Sequence, residues 1–204
     1  MARSKTSSPR STPSTGRAGS IRLISGQWRG RKLPVHDVEG LRPTTDRVKE
    51  TLFNWLATEV RDSRCLDVFA GSGSLGFEAL SRYASYVMMI EQDPKAARQL
   101  QANLQTLQCT QAQVVCRDAL LVLQAGCNEP FELVFLDPPF RKELLTAVIP
   151  LLEQQGWLAD RALIYLEREN EGTAPLIPAN WQLLKDKQAG QVCYQLYLRE
   201  SPTS

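Results

Sequence analysis

From Cys65 onward the sequence alternates short apolar runs with helical patterns, and this alternation limits the fold more than any other feature. The apolar runs are Cys65–Phe69, Tyr86–Glu91, Ala112–Cys116, Leu133–Leu136 and Ala162–Leu166. Between them lie helical patterns at Leu75–Arg82, Lys95–Leu107, Ala119–Leu123 and Lys142–Gln154. Strands this short and almost wholly apolar suit a parallel sheet covered on both faces, each crossover passing through a helix. The last such segment, "WQLLKDKQAGQVCYQLYLRE", holds two β-rich runs joined at Lys187–Gly190, which predicts an antiparallel hairpin closing the sheet. With 204 residues the chain has room for one α/β domain of this kind and a small appendage.

The appendage is N-terminal. Residues 1–19 are mostly Ser, Thr, Pro, Gly, Arg and Lys; they bury too little apolar surface to offset ordering entropy and are expected to form a disordered basic tail. Next, "IRLISGQWRGRKL" (Ile21–Leu33) alternates apolar and polar residues around Ser25–Gly26, so residues 20–41 are expected to form a basic hairpin extension. Thr44–Asp46 offer capping side chains, and Val48, Leu52, Trp55 and Leu56 form one apolar stripe of a helix. The main domain is then expected to span 42–199.

The net charge of +2 hides a split. Residues 1–36 contain eight Lys and Arg and no acid; taking those eight from 24 leaves 16 basic against 22 acidic residues in the remainder, a balance of −6. Positive charge gathered at one end suits a polyanion. Arg22, Trp28, Arg29, Arg31 and Lys32 are the candidate contacts to a nucleic-acid backbone and its bases, with weaker contributions from Arg42 and Arg47. A solvated edge hairpin that uses charge to prevent strand pairing is the competing reading. Five cysteines without C-x-x-C spacing and a single histidine, His36, disfavour a zinc site. The odd cysteine count and the lack of a secretory signal suit a reducing cytoplasm, and no apolar run approaches the ~20 residues needed to span a bilayer.

The first apolar run leads into "DVFAGSGSLGFEAL" (Asp67–Leu80), where Gly71, Gly73 and Gly76 form G-x-G-x-x-G between strand and helix. Such a loop is either a tight structural turn or a place where backbone approaches a ligand. The second run ends at Glu91, 20 residues after Gly71, the spacing at which a carboxylate meets ribose hydroxyls. That arrangement serves a nicotinamide dinucleotide or S-adenosylmethionine. Asp67, just before the loop, would repel a pyrophosphate but suits a sulfonium or an amino group. Asp118, after the third run, could accept from an adenine amine. Each acid is individually also explicable as a loop cap or a solvated carboxylate.

The fourth run ends in Asp137-Pro-Pro-Phe140. An exocyclic amine on a nucleobase is a poor nucleophile because its lone pair is delocalised into the ring. Hydrogen bonds from that amine to the Asp137 carboxylate and the Pro138 carbonyl would draw the nitrogen toward sp3, aiming the lone pair at a methyl donor. Prolines fix φ and add no donor of their own, and Phe140 offers a face for base stacking. A Pro-Pro turn with Phe140 in the core is the competing reading.

In this order, Gly71-Ser-Gly73, Glu91, Asp118 and Asp137-Pro-Pro-Phe140 resemble the motif series of class I S-adenosylmethionine-dependent methyltransferases. "RPTTDRVKETLFNWL", "LDVFAGSGSLGFEALSR" and "VFLDPPF" together resemble the RsmD family, across essentially residues 20–199. The resemblance implies a seven-stranded Rossmann-like, mostly parallel sheet, and S-adenosylmethionine contacts at Gly71, Gly73, Glu91 and Asp118. It also implies an acceptor site at Asp137, Pro138 and Phe140, and methylation of the N2 amine of one guanine in 16S rRNA, within the assembled or nearly assembled small subunit. A monomer is expected. The alternatives are methylation of DNA adenine N6 or a protein amide, a nicotinamide-dependent oxidoreductase, and a non-catalytic RNA-binding protein.

Overall fold

The computed structural model describes residues 19–36, 46–139, 144–171 and 174–201. The expectations for the tail at 1–18, for Arg42, for the capping threonines at 44–45 and for Phe140 lie outside these residues.

Two short strands, β1 (Ser20–Arg22) and β2 (Lys32–Pro34), pair antiparallel and precede helix α1 (Asp46–Trp55). The alternation follows: β3 (Arg64–Asp67), α2 (Ser74–Ser81), β4 (Tyr86–Glu91), α3 (Pro94–Thr106), β5 (Ala112–Cys116), α4 (Ala119–Gln124) and β6 (Phe131–Leu136). Then come α5 (Leu144–Gln154), β7 (Leu158–Glu169), β8 (Trp181–Ala189) and β9 (Val192–Arg199). The seven strands from β3 to β9 lie in the order β5-β4-β3-β6-β7-β9-β8. Strands β3 to β7 pair in parallel, whereas β9 runs antiparallel to both β7 and β8.

Strand order reverses between β3 and β6. The crevice beyond their C-terminal ends is where open α/β sheets bind ligands. Apolar clusters fill both faces of the sheet. One packs Leu52 and Phe53 of α1, Phe77 of α2 and Leu100 of α3 against Cys65, Leu133 and Phe135; the other packs Leu123 of α4 and Val148 of α5 against Leu66, Val134 and Ile164.

Strand β7 runs well beyond the predicted Ala162–Leu166. Its polar end continues because Glu167, Arg168 and Glu169 pair with Tyr194, Cys193 and Val192 of β9. The hairpin turn likewise lies later than Lys187–Gly190, since β8 stays paired as far as Ala189 opposite Val192 and Gly190 takes the left-handed φ of +61°. On α1 the stripe includes two residues the periodicity left out, Lys49 and Phe53, while Trp55 is only partly buried.

The N-terminal segment is fastened to α2. Ile21, Leu23 and Leu33 are buried in the same cluster as Leu52 and Phe77. Glu78, wholly buried, accepts the backbone N–H of Ile24 at 2.8 Å and of Ser25 at 3.1 Å, and the Arg82 Nε–H at 2.8 Å. Ser81 accepts the Trp28 N–H on its Oγ, and its carbonyl accepts the Gln27 N–H. Gly26 has φ +81°, and a Cβ there would lie 1.7 Å from the Ser81 carbonyl oxygen, so only glycine permits this approach. Lys49, 1 % exposed, donates from Nζ to the Arg22 carbonyl at 2.6 Å.

Candidate active site

Beyond β3 the chain turns through Gly71 (φ +51°) and Gly73 (φ +76°) before α2 begins. Gly73 is left-handed, and a Cβ on it would meet Phe77 and Leu100 at 2.6 Å, so packing beneath the loop requires glycine as much as any ligand above it.

Three of the predicted acids cluster at this edge. Asp67 closes β3 and is 2 % exposed; its Oδ2 accepts the Gly76 N–H in the first turn of α2 at 3.1 Å. Burial raises its carboxyl pKa to about 7, the backbone N–H groups of Gly76 and Phe69 oppose the shift, and the Glu91 charge adds to it. Glu91 closes β4 and bridges two backbone segments, accepting the Gly71 N–H on Oε2 at 2.8 Å and the Asp93 N–H on Oε1 at 2.7 Å. Asp118 follows β5, is exposed, and caps α4 by accepting the Leu121 N–H at 3.1 Å. The capping role weighed for it in the sequence is present; an ionised carboxylate accepts about four hydrogen bonds, so a second donor is compatible with it.

Asp137 and Pro138 follow β6 and are partly buried. The pairing Asp67↔Phe135 sets the β6 exit beside the glycine-loop strand, so Asp137 and the loop emerge at the same end of adjacent strands. On the other side of Asp137 lies β7, where wholly buried Tyr165 donates its hydroxyl to Glu167 at 2.8 Å. Burial, with the charges of Glu167 and Asp137, raises the Tyr165 phenol pKa well above its usual value. The sequence reading missed Tyr165 and Glu167; their i, i+2 spacing on one strand face was the available signal.

The basic loop sits at the far end of α2. Arg22, Arg29, Arg31 and Lys32 are exposed, while Trp28 is partly buried and packs against the core beside α2. The structure therefore brings Asp67, Gly71, Gly73, Glu91 and Asp137 to the C-terminal ends of the adjacent strands β3, β4 and β6, with Asp118 at the neighbouring strand end. It sets the basic side chains apart from them. Among the described residues, no group of three or more His, Cys, Asp or Glu is placed to hold a metal ion, and no helix is long and apolar enough to cross a membrane. The donor set suits a ligand carrying hydroxyls, an amine and positive charge, because the loop offers carboxylates and backbone amides; S-adenosylmethionine fits that description.

Comparison with known proteins agrees with this geometry. Residues 21–198 match the family model described as "Conserved hypothetical protein 95". "Ribosomal RNA small subunit methyltransferase D" of Escherichia coli K12 is 57% identical over 189 residues, covering 93% of this chain and 95% of that protein. The protein of the same name from Haemophilus influenzae is 56% identical over 88% of this chain and 94% of its own length. Among solved structures, an Escherichia coli chain described as methyltransferase yhhF superposes with a TM-score of 0.83 at 56% identity, covering 89% of this chain and 99% of that one. The chain therefore belongs to the RsmD family, whose relatives named here are ribosomal RNA small subunit methyltransferases.

Proposed function

We propose that the protein uses S-adenosylmethionine to methylate the exocyclic N2 amine of a guanine in 16S rRNA, acting in the cytoplasm, as a monomer, on the assembled or nearly assembled small subunit. One observation carries the reading: Asp137 leaves the sheet next to the strand that feeds the glycine loop, so an acceptor turn and a carboxylate-rimmed loop share one end of the sheet. S-adenosylmethionine, when bound, supplies an electrophilic methyl. Gly71, Gly73, Glu91 and Asp118 would hold it, with Asp67 beneath favouring its positive charge.

The Asp137 carboxylate and the Pro138 carbonyl accept the N–H groups of the guanine amine and orient its lone pair; Phe140 provides the stacking face. The amine's proton passes to solvent after transfer, so no strong base is required. Guanine N2 lies on the minor-groove edge, so the target base is unpaired or flipped out, which costs a few kcal/mol and least in a loop. The extension at 20–41, through Arg22, Trp28, Arg29, Arg31 and Lys32, grips the surrounding backbone, and residues 42–199 form the methyltransferase domain.

The test is to map N2-methylguanine in 16S rRNA from cells with and without the gene, and to label small subunits, free rRNA and duplex DNA in vitro. Loss of one N2-methylguanine without the gene, with small subunits as the preferred substrate, is the expected result. Equal labelling of duplex DNA would remove the rRNA reading.

A further inference from the structure

Glu167 has no part in the chemistry above, yet it is a carboxylate only 7 % exposed at the edge where the acceptor enters. Burying a carboxylate is costly unless it is paired or hydrogen-bonded, and Glu167 is so held. The pairing of β6 with β7 ends at Leu136 opposite Leu166, and the next residue on each strand is an acid, Asp137 on one and Glu167 on the other. Neighbouring strands lie about 4.8 Å apart, so Asp137, just past the end of β6, and Glu167, still within β7, stand side by side. Tyr165 donates to Glu167 Oε2 at 2.8 Å and thereby sets its direction. Across β9, Glu167 is paired with Tyr194, whose ring stacks on Trp55 of α1 at 5.6 Å. Glu167 is therefore oriented by Tyr165 of its own strand and flanked by β9, beside the turn that would receive the base.

We infer that Glu167 reads the N1–H of the target guanine, next to the N2 amine held at Asp137, and so selects guanine over bases whose N1 is an acceptor. This rests on the guanine-N2 reading proposed above. On its Watson–Crick edge guanine presents two adjacent donors, N1–H and the N2 amine, pointing the same way; adenine presents an acceptor at N1. Two acceptors side by side on neighbouring chain segments complement the first pattern. Against the second, a buried carboxylate would face a lone pair, and a site built for a hydrogen bond rejects a base that lacks it. Because an ionised carboxylate accepts about four hydrogen bonds, orientation by Tyr165 and recognition of the base are compatible.

The test uses small subunits reconstituted with 16S rRNA that carries either guanine or 2-aminopurine at the methylated position. 2-Aminopurine keeps the N2 amine but has an acceptor at N1. The wild-type protein is expected to prefer guanine by about tenfold or more in kcat/KM. In Glu167→Gln, whose amide can donate to an acceptor N1, that preference should shrink about tenfold or invert, while calorimetric binding of S-adenosylmethionine stays at the wild-type value. Tyr165→Phe, which removes the hydroxyl that orients the carboxylate, should shrink it less, and it carries the same test if Glu167→Gln does not fold. The missing O6 of 2-aminopurine affects all proteins alike, so the change in ratio isolates position 167. An unchanged ratio in both variants overturns this inference alone. Wild-type protein that methylates neither base overturns the guanine-N2 reading with it.

Discussion

The carboxylate of Glu91 accepts the backbone N–H of Gly71 at 2.8 Å, so the acid ending β4 holds the loop that follows β3. Glu91→Ala removes that acceptor together with the proposed ribose contact. Calorimetry should show S-adenosylmethionine binding weakened at least about tenfold, and denaturant unfolding a loss of about 1–3 kcal/mol. Glu91→Gln keeps an amide oxygen for one backbone N–H and should recover part of the stability.

Asp137 leaves β6 beside the strand that feeds the loop, and the proposed role for it is toward the acceptor base. Asp137→Ala should therefore bind S-adenosylmethionine at wild-type affinity while methyl transfer to small subunits falls about 10²-fold or more. Parallel loss of binding would instead assign Asp137 to the cofactor or to folding.

Asp67 makes stability depend on pH with a definite sign. Its folded pKa is raised to about 7 from an ordinary 3.8, so the folded chain holds a proton that the unfolded chain releases. The contribution is complete below about pH 4 and is lost as pH rises to about 7. Between those limits Asp67→Asn should lack this decline, which is on the order of 4 kcal/mol in full. Urea titrations of both proteins at pH 5 and pH 8 measure the difference. If Asp67 favours the cofactor's positive charge, wild-type affinity should also rise across pH 6 to 8, and the variant's should not.

The basic loop should act on capture rather than on chemistry. Replacing Arg29 and Arg31 together by Ala is expected to raise KM for small subunits and to leave kcat unchanged. It should also lower the salt dependence of binding by about one unit of slope for each phosphate contact removed. A fall in kcat at unchanged KM would contradict that assignment.

Glu78 binds segments far apart in the chain, accepting from Ile24 and Ser25 as well as from Arg82. Glu78→Ala leaves two backbone N–H groups and a guanidinium without their acceptor, with an expected stability loss of about 3 kcal/mol or more. Thermal unfolding followed by circular dichroism checks this.

Strands β4 and β5 match the predicted spans, because their apolar runs are bounded by polar residues that no later strand recruits. The end of β7 was illegible for the opposite reason: Glu167 to Glu169 look like loop residues until β9 pairs with them. Within the site, the 20-residue interval marked Glu91 and the Pro-Pro turn marked Asp137, since both signals are local. Asp118 was legible as an acid after a strand, and its cap on α4 needed the backbone. Glu78 and Lys49 were out of reach, because their acceptors and donors lie 53 or 54 and 27 residues away in the chain. Trp28 was legible as an aromatic among arginines; the hydrogen bond from its backbone N–H to Ser81, 53 residues away, was not.

Helix α2 carries the glycine loop at its start and the arginine loop at its end, and its eight residues measure about 12 Å. With the cofactor and rRNA contacts proposed above, the helix is a ruler between the methyl donor and the grip on rRNA. Lengthening it by one turn would move the two apart by about 5.4 Å, so an enzyme so altered would grasp the same stretch of rRNA and present a different atom to the methyl.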